Sequence, residues 1–509
     1  MDPQNDNNSN EKGFIIKSTL TFSLTNIILF AIGLCSLWVS GTFISSYDMG
    51  IISILTIFYS MAELMTLSLN VGVQRYLSFH LGENDKEKAQ SIINLAFLFL
   101  IFYLIGSNTI IPIVMILVLN ILSISVDFFI ILVILSAVNF YQLFTYFNSL
   151  LSTYKQYNKV AIISFISSIT GILISLFFII QGFSIIGFII RYVISNLVGF
   201  VLFVSIMHKL KLSFYIKSKK FYELKKIFNF SFPHFINVFF INMILYFFVK
   251  TMIASFLGLN TLGYYEFSYN IFNIFNTIML GFNNIILIHL THEYGERGID
   301  GIKANLSWIT RVISFIVFPL LYFILIFSYP FLFFIIPKYL PSVMFLNWLV
   351  ISGVIPLIYY AFTGVLFALG KNWQILISNT ISYMGLTILY VFLPYLGVIG
   401  VIIGDYTLRI SYTIIILLFC TKYVEIREHV IIPIKFFVKT LPIAIIGTIF
   451  SLIFPQIYFI PFNILIFLGL FIVIVRYGKL ISVWEIDKGF SFLPEKLLKI
   501  IKKIFIKEI

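Results

Sequence analysis

The chain is 509 residues long, 60% hydrophobic and 11% charged, with a mean hydropathy of +1.03. Soluble domains are about 45 to 50% apolar, so a soluble enzyme or binding module is excluded and a polytopic membrane protein remains. The net charge of +13 comes from lysines in short segments between apolar runs rather than on one basic domain, so no nucleic-acid partner is expected.

The apolar runs are too long for barrel strands, which alternate over about ten residues. Helices then satisfy the backbone in lipid, and the fold class is all-α. A polar N-terminal tail (1–17) precedes fourteen candidate spans, at 18–44, 51–80, 89–118, 127–152, 160–180, 183–207, 231–257, 262–290, 305–330, 342–369, 372–393, 397–420, 433–454 and 458–477. The first run is too long for the core of a cleaved signal peptide and reads as a retained span.

Span 2 carries charge inside the bilayer, at Glu63 and Arg75, where charges are costly and face protein or water. Glu63, Thr66, Asn70 and Gln74 fall along one side of that helix and would line a wet interior. Span 7 holds Lys250, which either faces the cavity or snorkels outward. In span 8, Glu266, Asn270, Asn273, Thr277, Gly281 and Asn284 recur at helical spacing. That stripe is either cavity lining or hydrogen-bonding glue between helices.

Basic residues fall in alternate turns, culminating in Lys209, Lys211, Lys217, Lys219, Lys220, Lys225 and Lys226 after span 6. The asymmetry places both termini in the cytoplasm of a cell-membrane protein. The tail 478–509 ends in a basic helix whose Leu497, Ile500, Ile501 and Ile504 share a face suited to the inner leaflet.

The halves repeat at an offset of 213, aligning Gly50 with Gly263 and Gly187 with Gly400, and Asn70 and Ser60 with Asn283 and Asn273. This predicts an N-lobe (18–208), a basic cytoplasmic linker (209–230) and a parallel C-lobe (231–421), with the spans of 433–477 outside the repeat. Such halves enclose a central cavity and rock around it.

The charges inside the repeat are Glu63, Arg75, Arg191, Lys250, Glu266, Arg311, Asp405 and Arg409, five basic and three acidic. The surplus suits an anionic cargo such as a lipid pyrophosphate. Asp405 and Arg409, four apart, neutralise each other and are set aside. Arg191 and Arg311 either meet cargo or brace helices. His234, His289 and His292 read as solvated residues at the cytoplasmic ends of spans 7 and 8. Cys35 and Cys420 support neither a disulfide nor a metal site. Without a phosphate-binding loop or a metal motif, no cofactor is expected. The short outer loops leave little room for catalysis, so the chain reads as a non-enzyme.

The motifs FISSYDMGIISI, LNVGVQRYL, LKKIFNFSFPHFIN, SFLGLNTLGYYEFSYNI, FFIIPKYLPSVMFLNWLVISG, FALGKNWQILI and GVIGVIIGDY, in this order, resemble the MOP exporter superfamily over about residues 14–480. Within it the chain is similar to the polysaccharide-biosynthesis, Wzx-like flippases. The resemblance implies fourteen helices in two lobes, the first two helices of each lobe lining the cavity, and transport of a lipid-linked oligosaccharide without ATP hydrolysis. Expected partners are that substrate, membrane lipids and a coupling ion, H+ or Na+. The candidate substrate-binding residues are Glu63, Asn70, Arg75, Arg191, Lys250, Glu266, Asn270, Asn273, Thr277 and Asn284. The chain departs from the family at Lys250, often an acid there, and at Ile288 to Thr291, where a proline-serine pair is common. Rival readings are a MATE-like multidrug or metabolite antiporter, disfavoured by the basic surplus, and a glycan polymerase or glycosyltransferase. A major-facilitator carrier lacks support, because the turn LGENDKEKA has no Gly-Asp-Arg-Arg signature.

Overall fold

The computed structural model describes residues 32–33, 35–65, 69–83, 85–154, 156–216, 224–453, 460–489 and 495–506. Their regular elements are all helical. In chain order they are α1 (Ser46–Met65), α2 (Leu69–Gly82), α3 (Lys86–Ile121), α4 (Phe128–Thr153), α5 (Tyr157–Ile180), α6 (Ser184–Lys209) and α7 (Leu224–Phe240). A π-helical turn (Ile241–Phe248) leads into α8 (Val249–Leu257) and α9 (Leu259–Ile335). After a short turn of 3-10 helix come α10 (Ser342–Ser352), α11 (Ile355–Ala368), α12 (Asn372–Val391) and α13 (Leu393–Cys420). The chain closes with α14 (Ile426–Ile453), α15 (Ile460–Tyr477), α16 (Val483–Gly489) and α17 (Glu495–Phe505).

Among the described residues eight helices are long and apolar enough to cross a membrane, or nine when α10 and α11, bent by 41°, count as one span. This is an all-α, polytopic membrane fold. Several predicted spans hold more than one described element, with 66–68 of span 2 outside the described residues. Span 2 is α1 and α2, span 7 is α7, the π turn and α8, and span 10 is α10 and α11. Spans 8 and 9 form the two arms of α9, broken at Gly298 (φ 62°, ψ −147°), a conformation that a Cβ would strain. Span 1 is described only from residue 32.

Two compact units divide the chain, Met1–Gly263 and Tyr264–Ile509. The segment α7–α8 therefore groups by contact with the first unit, although the sequence repeat assigns it to the C-lobe. Gly72 explains the attachment. Its N–H donates to Ser231 Oγ at 3.1 Å, and any Cβ there would press on Ile227 of α7. The first unit is otherwise built on the α5–α6 hairpin, whose close approach uses Gly171 against Ser195, and on a core that includes Leu77, Ile92, Leu150, Phe203 and Met207.

The second unit has its own hairpin, α12–α13, with Gly404 against the Tyr390 ring. Its core joins Phe318, Phe362, Ile416 and Phe436 to Phe471 and Val475. The spans outside the repeat thus share this core: Phe318 stacks on Phe436 with centroids 5.5 Å apart, and Ser451 Oγ donates to the Ile326 carbonyl at 2.8 Å. The tail helix α17 also docks here. Phe505 meets Phe315 edge-on at 4.9 Å, while Leu498 and Ile501 pack on the core and Lys502 pairs with Asp487. The face expected to lie on the leaflet is therefore split: Ile501 packs inward, and Leu497 and Ile500 stay exposed.

The repeat has a direct structural counterpart within the first unit. A Cβ on Gly50 would overlap the Leu259 carbonyl, and a Cβ on Gly263 would overlap the Ser46 carbonyl. Ser46 and Leu259 are themselves separated by 213 positions, so each glycine packs on the other copy's equivalent residue. Such reciprocity is the signature of a two-fold contact. Ser46 Oγ also donates to Asn260 Oδ1 at 2.8 Å.

Candidate functional site

Arg75 lies on α2 with its guanidinium carbon 4.1 Å from the Phe230 ring centroid on α7 and 6.0 Å from that of Tyr76. The side chain is exposed and makes no ion pair among the described residues. A ring face attracts a cation through its quadrupole and leaves the in-plane N–H groups free. Asn70, one turn earlier on α2, is half-buried.

Arg191 on α6 is held differently. Its guanidinium carbon sits 3.9 Å from the Phe188 centroid and 4.6 Å from that of Tyr192, and it donates to the Tyr192 hydroxyl. Tyr192 stacks on Tyr59 of α1 at 4.4 Å, Tyr59 meets Tyr141 of α4 at 5.3 Å, and Asn196 Nδ2 donates to the Tyr59 hydroxyl at 3.0 Å. Arg191 Nε is buried without a described partner. Arg75 and Arg191 therefore occupy separate aromatic settings, and no described contact joins them. Local sequence signalled part of this, since Phe188 is three residues before Arg191 and a tyrosine follows each arginine. The partners Phe230, Tyr59 and Tyr141 come from distant helices.

Lys250 on α8 is 4% exposed and engaged with neighbouring groups, so its ammonium does not reach outward as a snorkelling lysine would. In the second unit Glu266 is buried and engaged, and Asn270 and Asn273 are half-buried on the same helix. The side chains of Glu63, Thr277, Asn284, His234, His289 and His292 lie outside the described residues.

The remaining charges are neutralised. Arg409 Nε donates to Asp405 Oδ2 at 2.9 Å, as the i,i+4 spacing predicts. Ser352 Oγ donates to the same oxygen at 2.7 Å, and the guanidinium lies 5.3 Å from the Phe272 centroid. Arg311 Nη1 pairs with Glu485 Oε1 of α16 at 3.2 Å, which makes it a brace to the C-terminal segment. With these pairs set aside, Arg75 and Arg191 are the arginines inside the repeat that no carboxylate holds among the described residues.

A family model described as polysaccharide biosynthesis protein matches residues 42–344, more than half of the chain. A search of curated proteins finds no significant match. Among solved structures, the lipid II flippase MurJ in an inward closed conformation superposes with a TM-score of 0.66 at 17% identity, covering 89% of this chain and 98% of its own. An inward-facing multidrug resistance MATE family transporter of the MOP superfamily gives 0.65 at 13%, covering 80% and 98%. A MOP superfamily transporter from Pyrococcus furiosus, described by a binding pocket of reverse polarity, gives 0.56 at 16%, covering 80% and 95%. At such identities the likeness shows the fold.

Proposed function

The chain belongs to the polysaccharide biosynthesis protein family, and from that premise we propose that it is a flippase. It carries an isoprenoid-lipid-linked oligosaccharide across the cell membrane by alternating access, for assembly of surface polysaccharide or glycoprotein. The observation that carries this reading is the contrast among the arginines. Arg311 and Arg409 are held by carboxylates, whereas Arg75 and Arg191 rest on aromatic rings with no ion pair among the described residues. A guanidinium stacked on a ring keeps its donor edge for phosphate oxygens. Since the two arginines are apart, they serve successive points on the cargo's path rather than one clamp. Lys250 adds positive potential from within; Asn70 and Glu63 in the first unit, and Asn270, Asn273, Thr277, Asn284 and Glu266 in the second, are each unit's polar groups for sugar hydroxyls. Both termini face the cytoplasm, no bond of the cargo is broken, and a coupling ion, H+ or Na+, supplies the driving force.

Liposomes containing the protein and a labelled lipid-linked glycan test this directly. The native protein accelerates transfer between leaflets. Arg75→Gln loses a charge-assisted phosphate contact of about 1.5 to 3 kcal/mol, a slowing of about tenfold or more. Transfer no faster than in empty liposomes overturns the proposal. Uptake of cationic drugs in its place favours the multidrug antiporter, whose fold the chain shares.

A further inference from the structure

Helix α7 carries Lys225, Phe228, Phe232, Phe235 and Phe239 at intervals of three, four, three and four, the spacing of a single helical face. The rings follow one another with centroids 5.7, 6.4 and 6.2 Å apart. At 1.5 Å per residue the ladder from Lys225 to Phe239 runs about 21 Å. Phe228, Phe232 and Phe239 are exposed, while α7 packs on α2 through the flanking positions Ile227 and Ser231.

This face borders a cleft of about 770 Å³ inside the first unit. Leu64 and Leu69 close it on one side and Phe99, Phe102 and Tyr103 of α3 on another, with Lys225 at the start of the ladder. Its wall is otherwise hydrocarbon. Two polar groups stand out. Lys225 is an exposed ammonium with no ion pair among the described residues, and the Tyr103 hydroxyl is buried without a described partner. An apolar trough with few polar anchors is the common form of a site for an amphipathic ligand.

We propose that this cleft holds the head-proximal isoprene units of one polyprenyl phosphate chain, with the phosphate at Lys225. The inference rests on the flippase reading and deepens it by giving the lipid tail a seat. Three features select this occupant. The ladder is a single file, which suits one chain rather than the paired tails of a glycerophospholipid. Its ring faces suit the methyl-branched, unsaturated surface of an isoprenoid. The cation stands at the end that the basic-residue asymmetry assigns to the cytoplasm, and a lysine is a ready point charge for phosphate. The tail then stays beside α3 and α7 while the glycan crosses.

The test uses the full chain in liposomes and a polyprenyl phosphate bearing a diazirine in its first isoprene units. Photolabelled peptides are mapped by mass spectrometry. Label is expected on 99–103 and 224–243, competed by unlabelled polyprenyl phosphate and not by phosphatidylglycerol. Lys225→Gln and Phe235→Trp each lower it several-fold, and Lys225→Gln, a conservative change at an exposed position, keeps the test valid should the bulkier variant misfold. Label confined to α14 and α15, or competed equally by phosphatidylglycerol, overturns the inference. If the native protein transfers glycan-lipid while Phe235→Trp transfers it at the native rate and the label lies elsewhere, the seat is wrong and the flippase reading stands. If the cleft is labelled but nothing is transferred, the flippase reading is the one that fails.

Discussion

Adding one methyl group at Gly50 tests the reciprocal contact between α1 and α9. In a helix, alanine is favoured over glycine by about 0.5 to 1 kcal/mol, so propensity alone makes Gly50→Ala stabilising. The contact argues the reverse. The new Cβ would lie 2.9 Å from the Leu259 carbonyl carbon and 3.1 Å from its Cα, whereas carbon atoms settle at about 3.5 to 4.0 Å. At Gly263 the corresponding Cβ would lie 2.7 Å from the Ser46 carbonyl carbon and 3.2 Å from the Gly50 nitrogen. The obstacles are backbone atoms, so relief requires the helices to part by about 1 Å, and overpacking of this kind costs about 1 to 3 kcal/mol. The net penalty of about 1 to 2 kcal/mol falls on the conformation in which the helices touch, shifting its population by a factor of about 5 to 30. Spin labels on Tyr47 and Asn260, in a chain lacking Cys35 and Cys420, report the separation. Gly50→Ala and Gly263→Ala each increase the long-distance fraction. The double variant costs less than the sum, because one separation relieves both overlaps. If both alanines raise the melting temperature and leave the short distance intact, the steric argument is refuted.

The other predictions concern charges. Asp405→Asn or Arg409→Gln alone strands a largely buried partner, lowering stability by about 3 to 5 kcal/mol, and the double variant regains much of it in a thermal melt. Glu485→Gln frees Arg311, and faster hydrogen exchange over α16 and α17 is expected without loss of the second unit's core. Asp85 caps α3, accepting from the Lys88 N–H at 3.0 Å and pairing with its ammonium, and these bonds hold its carboxyl below the usual range. A depressed folded pKa means the cap contributes fully above the ordinary carboxylate value of about 3.9 and is lost as pH falls through the lower folded value. Protection factors at the first turn of α3, taken relative to the intrinsic exchange rate at each pH, should therefore fall on acidification, and Asp85→Asn should flatten that pH dependence.

The spans were legible because hydropathy and length decide helix placement in lipid, and the Asp405–Arg409 pair because its spacing is local. The break points were harder to read. The expected turn between spans 8 and 9 is the kink at Gly298, whereas the 41° bend between α10 and α11 falls inside one expected span, where Gly353 and Pro356 are the local sign. The sequence register aligned Gly50 with Gly263 but carried no sign that the two copies touch there, since a repeat specifies equivalence and not contact. Arg311 was counted as surplus charge because its partner Glu485 lies 174 positions later, outside the repeat. The aromatic supports of Arg75 and Arg191 were half visible: the adjacent tyrosines are in the sequence, whereas Phe230 and Tyr59 are brought in by packing.

Duplication ordinarily lets one copy drift while its twin preserves the original role. At Gly50 and Gly263 that freedom is withdrawn, because the space each leaves empty is filled by its counterpart's neighbour. A side chain added to either glycine intrudes on the backbone of the other copy, so the two positions share one steric limit. Two positions 213 apart in the chain are thus held to one size by a single contact.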